Sequence, residues 1–277
     1  MTVTDTRVRK SVAAPPARSA GPGAGQAWAA KTGFIALLLL LWEAAVRLGD
    51  LGSVPAPTAL AGAWIDLITE GEIISPVLDT LASWALGLLT SAAIGVPVGL
   101  LLGVSASTYR ACRFLLDFLR TIPALALVPL AVLLYGAGLE SKVLLITCAC
   151  VWPIMLQAVY GVRDIDPVAE DTCRSYRVRP VQWALFLVLP SAAAYLATGV
   201  RIAAGVSLLL SLSSEIIMPA PGIGQAITTA QLGGAVPTMY AWIVTAGVLG
   251  IVINFLFTRV ERRALRWHPS QRQGGGR

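Results

Sequence analysis

Six runs of predominantly apolar residues recur near 31–48, 80–103, 119–137, 143–162, 192–214 and 236–257. Each is close to the roughly 17 to 25 residues that an α-helix needs to cross a bilayer. Inside hydrocarbon every backbone N–H and C=O must be satisfied within the protein, which leaves helices or closed barrels as spanning structures. Continuous apolar runs of this length fit helices, so the expected fold is an all-α membrane protein with six transmembrane helices. A mean hydropathy of +0.73, with 56% hydrophobic and 13% charged residues, is unsuited to a fully water-exposed surface.

The charges sort by side. Arg7, Arg9, Lys10 and Arg18 precede the first run, with Lys31 at its start; Arg110 and Arg113 lie between the second and third, with Arg120 at the edge of the third. Arg163, Arg174, Arg177 and Arg179 lie between the fourth and fifth, and Arg259, Arg262, Arg263, Arg266, Arg272 and Arg277 follow the sixth. If six spans alternate, all these segments face one side, and the other side keeps only Arg47 and Lys142 near span ends. The positive-inside rule then makes both termini cytoplasmic. The net charge of +6 is thereby a topology signal, and nucleic-acid binding is not expected.

Three chemical readings fall away. Cys148 and Cys150 point about 200° apart on a helix, and the single His268 adds no ligand to them, so no metal site is expected. The stretch from Gly25 to Thr32 approaches a phosphate-binding loop, but Ala30 replaces its second glycine and an apolar span follows. No ATP site or other bound cofactor is expected on this chain. A cleaved signal peptide is disfavoured by Glu43 and Arg47, which stand where a small-residue cleavage site belongs. The expected domains are a disordered cytoplasmic tail over 1–30, a membrane domain over 31–268 and a second tail over 269–277.

Ser83, Gly87, Ser91, Gly95, Gly99 and Gly103 recur every four residues along the second run. Such a small-residue stripe lets a neighbouring helix approach closely, and intramolecular packing is the favoured reading over a dimeric contact. Pro97 in that run, and Pro123 and Pro129 in the third, each remove a backbone donor and bend a helix.

One stretch breaks the apolar pattern: AEDTCRSYRVRPVQWALFLVLP, Ala169 to Pro190. Asp166-Pro167 reads as a helix start, with Asp as N-cap, Pro at the first helical position, and Glu170 and Asp171 near the positive end of the dipole. Arg174 and Arg177 fall near its C-terminal end. Arg179-Pro180 starts a second short helix, expected to end at Pro190. The pair would lie on the cytoplasmic side, either as a docking surface or as an interfacial pair held on membrane lipid by Trp183 and the arginines.

The run from Val162 to Gly205 resembles the signature loop of permease subunits of bacterial ABC importers: Glu-Ala-Ala, three residues, Gly, about nine residues, then Ile-x-Leu-Pro. Within that superfamily it is most similar to the nitrate, sulfonate and taurine branch. VPAPTALAGAWIDLITEGEI, LRTIPALALVPLAVLLYGAGLESK, SSEIIMPAPGIGQAI and VERRALRW support the resemblance in matching order, from about residue 35 to 268. Counting back from Pro190 puts Arg177 on the signature Gly and Asp171-Thr172-Cys173 on Glu-Ala-Ala; with the register slipped by one, Glu170 would serve as the acid. An Arg there must avoid positive φ or bear a cost of about 1 kcal/mol.

The resemblance implies a type I ABC importer permease fold in the bacterial inner membrane, with 163–190 as a two-helix coupling loop. It implies a second permease copy, an ABC ATPase dimer that holds ATP and Mg, and an extracytoplasmic substrate-binding protein. The coupling residues would be Asp166, Glu170, Asp171, Arg174, Ser175, Arg177 and Pro190. Arg201, Ser207, Ser211, Ser214 and Glu215 are polar groups within or at the edge of spans, which line cavities or pair with one another, and they are the candidate translocation path. Arg201 is read as a buried cation that could meet an anion, although pairing with a carboxylate or snorkelling is the favoured reading for such an arginine. No catalytic residue is expected. Cargo stays open among small sulfonates, taurine, nitrate and uncharged pyrimidine-like vitamin precursors. A secondary transporter would need several embedded acids or an inverted repeat, and neither is evident.

Overall fold

A computed structural model of the chain describes residues 24–49 and 54–264. All regular structure among them is helical. The chain divides into two units: one up to Leu51, which carries α1 (Ala24–Leu48), and one from Gly52 onward, which carries everything else. α1 begins within the expected tail, so the loop-like Gly25–Thr32 stretch is helical; 1–23 and 265–277 lie outside the described residues.

The second unit is built around α3 (Ile74–Val104), α6 (Leu139–Arg163) and α9 (Leu189–Ile217). The small-residue stripe of α3 makes this possible. Gly87 faces Ile146, Gly95 faces Ile154 and the Val151 carbonyl, Gly99 faces Met155 and Ala158, and Gly103 faces Val162. A methyl group at Gly103 would sit 2.7 Å from Val162 Cβ, so α6 lies against the bare backbone of α3. Leu88, Ile146, Cys150, Ile154, Ala203 and Ala204 fill the seam where α9 joins.

α11 (Val236–Ala264) closes the unit with α2 (Pro57–Thr69) and α10 (Ile223–Leu232), two short helices that the apolar-run pattern does not reveal. Their cluster is Leu67, Ile223, Ala241 and Trp242, and Trp64 Nε1 donates to Thr245 Oγ1 at 3.0 Å.

Among the described residues four helices are long and apolar enough to cross a membrane: α3, α6, the continuous stretch Pro180–Ile217, and α11. A fifth is reached if α4 (Ala106–Leu119) and the segment Ala124–Tyr135 count as one broken span, bent by 72°. α1 is 25 residues long but carries Lys31, Glu43 and Arg47. The expected count of six is therefore not established. The expected third span, 119–137, is not one helix. Chain direction changes at Thr121–Pro123, a 3₁₀ turn occupies Ala124–Leu127, and Pro129 sits in the first turn of α5 (Val128–Tyr135). Pro97, by contrast, lies inside an unbroken α3.

Candidate functional site

Two groups of polar residues stand out at the two ends of the second unit's helices. The first is the charged stretch after α6. Asp166 caps α7 (Pro167–Ser175), its Oδ1 accepting from Val168 N at 2.9 Å, and Pro167 occupies the first turn. Arg174 lies 3.4 Å from Glu170 and 3.9 Å from Asp171, exposed pairs that contribute little individually. No residue of α7 is buried, and Val168 and Tyr176 are strongly exposed.

The end of α7 explains Arg177. Val178 N donates to Cys173 O at 3.0 Å and Arg177 N to Arg174 O at 3.1 Å, the double hydrogen bond of a Schellman cap. That motif needs a left-handed residue just beyond the helix. Arg177 adopts it with φ 51°, alone among described non-glycine residues in having positive φ. The backbone thus keeps the conformation for which the signature glycine is suited while bearing an exposed arginine. Pro180 then opens α8 (Pro180–Trp183).

α8 is not ended by Pro190. It passes through a π-helical turn, Ala184–Val188, directly into α9, with Pro190 in the first turn of that helix. The wider turn accommodates a residue that has no N–H to donate, so the proline marks an entry. The start of the stretch is pinned by contacts that sequence reasoning missed: Tyr195 OH donates to Asp164 Oδ2 at 2.8 Å, and the Arg163 guanidinium lies 3.9 Å from the Tyr109 ring centroid.

The second group lies where α3 begins, α6 begins and α9 ends. Glu215 and Lys142 are 1% and 2% exposed, with Nζ 3.0 Å from Oε1. Thr80 Oγ1 lies 3.0 Å from Glu215 Oε2, and Gly224 N donates to the same oxygen at 2.9 Å. Ile223 N donates to Thr80 Oγ1 at 3.0 Å, and Lys142 Nζ also donates to Pro221 O at 2.7 Å. Gly222, at φ 149°, packs against the carboxylate so closely that a Cβ there would overlap it. Ile223 and Gly224 are the first residues of α10, whose N-cap, Gly222, has no side chain to offer. Glu215 and Thr80 do the capping from other helices.

Glu215, Ser207, Ser211 and Ser214 are therefore buried and partnered within the chain. Ser207 Oγ donates to Trp84 O, Ser83 Oγ to Ser211 Oγ, and Ser214 Oγ to Ser211 O. Arg201 pairs with a carboxylate, Glu261 on α11 at 3.0 Å, as favoured for it, but its side chain is 43% exposed, so it is not buried; among the described residues the buried cation is Lys142. Beside the buried pair a cleft of about 690 Å³ opens between α3, α10 and α11, lined by Glu72, Asp79, Gln225 and Trp242 among others. Among the described residues no three His, Cys, Asp or Glu side chains gather as a metal site would need.

Residues 95–266 match the family described as binding-protein-dependent transport system inner membrane component. The chain is 31% identical over 243 residues to the bicarbonate transport system permease protein CmpB of Synechococcus elongatus, covering 82% of this chain and 86% of that one. It is 27% identical over 237 residues to the SsuC permease of Bacillus subtilis, whose name assigns it provisionally to aliphatic sulfonates transport, covering 85% and 86%. A solved structure of the MetNI methionine ABC transporter in an inward-facing conformation is similar in fold, with a TM-score of 0.61 at 23% identity, covering 68% of this chain and 94% of that one.

Proposed function

We propose, from the premise that this chain belongs to the family of inner membrane components of binding-protein-dependent transport systems, that it carries a small oxyanion across the membrane as half of a two-permease pore. As the translocation subunit of an ABC importer it is a multi-pass membrane protein whose family works with an ATPase and a substrate-binding protein. The cargo class rests on relatives named for bicarbonate and for sulfonates, both small anions bearing several oxygens. On this reading ATP and Mg are held by the ATPase partner, and hydrolysis takes place there.

The observation that carries the coupling role is the exposed α7–turn–α8 unit: two helix starts fixed by Asp166 and Pro180, and between them a Schellman turn with Arg177 at its left-handed position. Seated in a groove of the ATPase, a unit so braced transmits a push to α6 and α9 as a rigid-body movement. Asp171→Lys tests it. Reversal places a cation near the helix start, opposing the dipole at a local cost of about 0.5–2 kcal/mol, and removes any acidic contact. Subunit association and substrate-stimulated ATP hydrolysis by the reconstituted complex are expected to fall while membrane abundance holds. Unchanged association and unchanged stimulated hydrolysis would transfer the segment to a lipid-surface role.

A further inference from the structure

The Lys142–Glu215 pair is a buried charge pair for which the coupling role has no use. It is not a general cement: taking two charges out of water costs several kcal/mol each, offset only when every polar atom finds a partner. Here they do. One Glu215 oxygen accepts from Lys142, the other from Gly224 N, and the single Thr80 hydroxyl proton is shared between the two, while Lys142 Nζ also reaches the Pro221 carbonyl. The atoms so joined come from α3, α6, α9, the α9–α10 connection and the first turn of α10. Packing repeats the pattern: Ile223 is fully buried against Leu67, Ala241 and Trp242, and Gly222 and Gly224 bring the backbone of α10 onto Glu215 and the Leu212 carbonyl.

We infer that Lys142 and Glu215 are positioning residues that lock the α10 hairpin to the α3–α6–α9 body, so that this end of the protein opens by movement of the whole body and not by swinging of α10. The lock itself follows from the contacts; its consequence for a transport cycle rests on the importer reading. Because Glu215 supplies the missing helix cap, loss of its partner cation leaves a buried carboxylate at the junction, and the hairpin is the least costly part to release.

A cysteine-free chain assembled with its ATPase partner tests this through Ile223→Cys, at a buried position, and Thr229→Cys, at an exposed one on the same helix. A water-soluble maleimide on the α10 side should label Thr229→Cys and spare Ile223→Cys, both without nucleotide and with a non-hydrolysable ATP analogue. Adding Lys142→Met should speed Ile223→Cys labelling on the order of a hundredfold, since breaking a buried pair leaves an uncompensated charge. Adding Glu215→Gln to Lys142→Met removes that charge, keeps an oxygen for Gly224 N, and should restore protection. If Lys142→Met alone fails to accumulate in membranes, recovery in the double variant carries the same conclusion. Rapid labelling of Ile223→Cys in either nucleotide state with the pair intact would make α10 a separately moving gate and overturn the inference. So would protection unchanged by Lys142→Met, or a double variant no better than the single. Absence of oxyanion uptake by the unsubstituted complex, with labelling as expected, would refute the proposed cargo and leave the lock standing.

Discussion

Arg177 holds a backbone conformation that glycine adopts without strain and that an L side chain bears at about 1 kcal/mol. It keeps both hydrogen bonds of the Schellman turn, so the strain is local. Arg177→Gly is therefore expected to stabilise the protein by about 1 kcal/mol, read as a raised melting midpoint of the purified chain. Uptake is expected to fall, because an exposed cation at the tip of a docking unit gains charge-assisted contacts with its partner. Uptake that rises together with stability would show that the arginine makes no such contact. The position was legible in the sequence through the resemblance, whose spacing from Pro190 puts Arg177 on the signature glycine; whether it avoids positive φ or bears it was open there, and its φ of 51° is the second outcome. Lys142 and Glu215 were not legible as a pair. They stand 73 residues apart, and no spacing rule connects the start of one apolar run to the end of another. Counted as a charge on the far side, Lys142 proves to be buried and neutralised by Glu215, which sharpens the asymmetry of the solvent-facing charges. For Arg201 a carboxylate partner was the favoured reading, but which one was not legible for the same reason: Glu261 lies on another helix.

Elements were legible where a local pattern decides them. The stripe of small residues recurring every four positions on α3 packs its glycines against α6 inside the chain, and the caps of α7 and α8 fall where Asp166-Pro167 and Arg179-Pro180 require. The bend expected at Pro123 is present, as a 72° break between α4 and the segment Ala124–Tyr135. What failed was whatever depends on how the chain is re-used after a break: the entry of α8 through a π turn into α9, and the short helices α2 and α10. Apolar content is the same on either side of such breaks, so composition does not signal them. The α3–α6 contact supports a prediction with an internal control. At Gly99 a methyl group would collide with the Met155 carbonyl and Ala158, backbone and short side chain that cannot swing away, whereas Gly247 on α11 has nothing within 4 Å. Gly99→Ala should cost about 1–3 kcal/mol of stability, while Gly247→Ala should stay within about 0.5 kcal/mol. Thermal unfolding of the detergent-solubilised protein measures both, and equal effects would mean that the seam relaxes easily.

At the scale of the whole molecule the open quantity is the number of crossings. α3, α6, Pro180–Ile217 and α11 are apolar enough to cross by themselves, and the bent α4–α5 segment makes a fifth crossing if it spans. α1 decides between five and six. Its charges count against insertion, but Arg47 and Glu43 lie one turn apart with Nη2 2.6 Å from Oε1, so each offsets part of the other's desolvation cost. Lys31 lies about two turns in from the N-terminal end of the helix, and a long side chain there can reach toward the interface. Six crossings put the N-terminal segment on the same side as α7. Five put it on the side of α2. Single cysteines in a background free of Cys112, Cys148, Cys150 and Cys173, probed in intact cells with a membrane-impermeant thiol reagent, separate the two. Glu70→Cys, exposed before α3, should react, and Ser107→Cys and Ser175→Cys, exposed beyond α3 and at the end of α7, should react only after the membrane is opened. With those three fixing the sidedness, Ser11→Cys reports on α1 alone. Protection of Ser11→Cys in intact cells is the expected result and makes α1 a sixth crossing, with the basic N-terminal residues on the cytoplasmic side as the charge asymmetry requires. Labelling of Ser11→Cys from outside would leave five crossings, and labelling of Ser175→Cys from outside would invert the orientation and remove α7 from reach of any cytoplasmic ATPase.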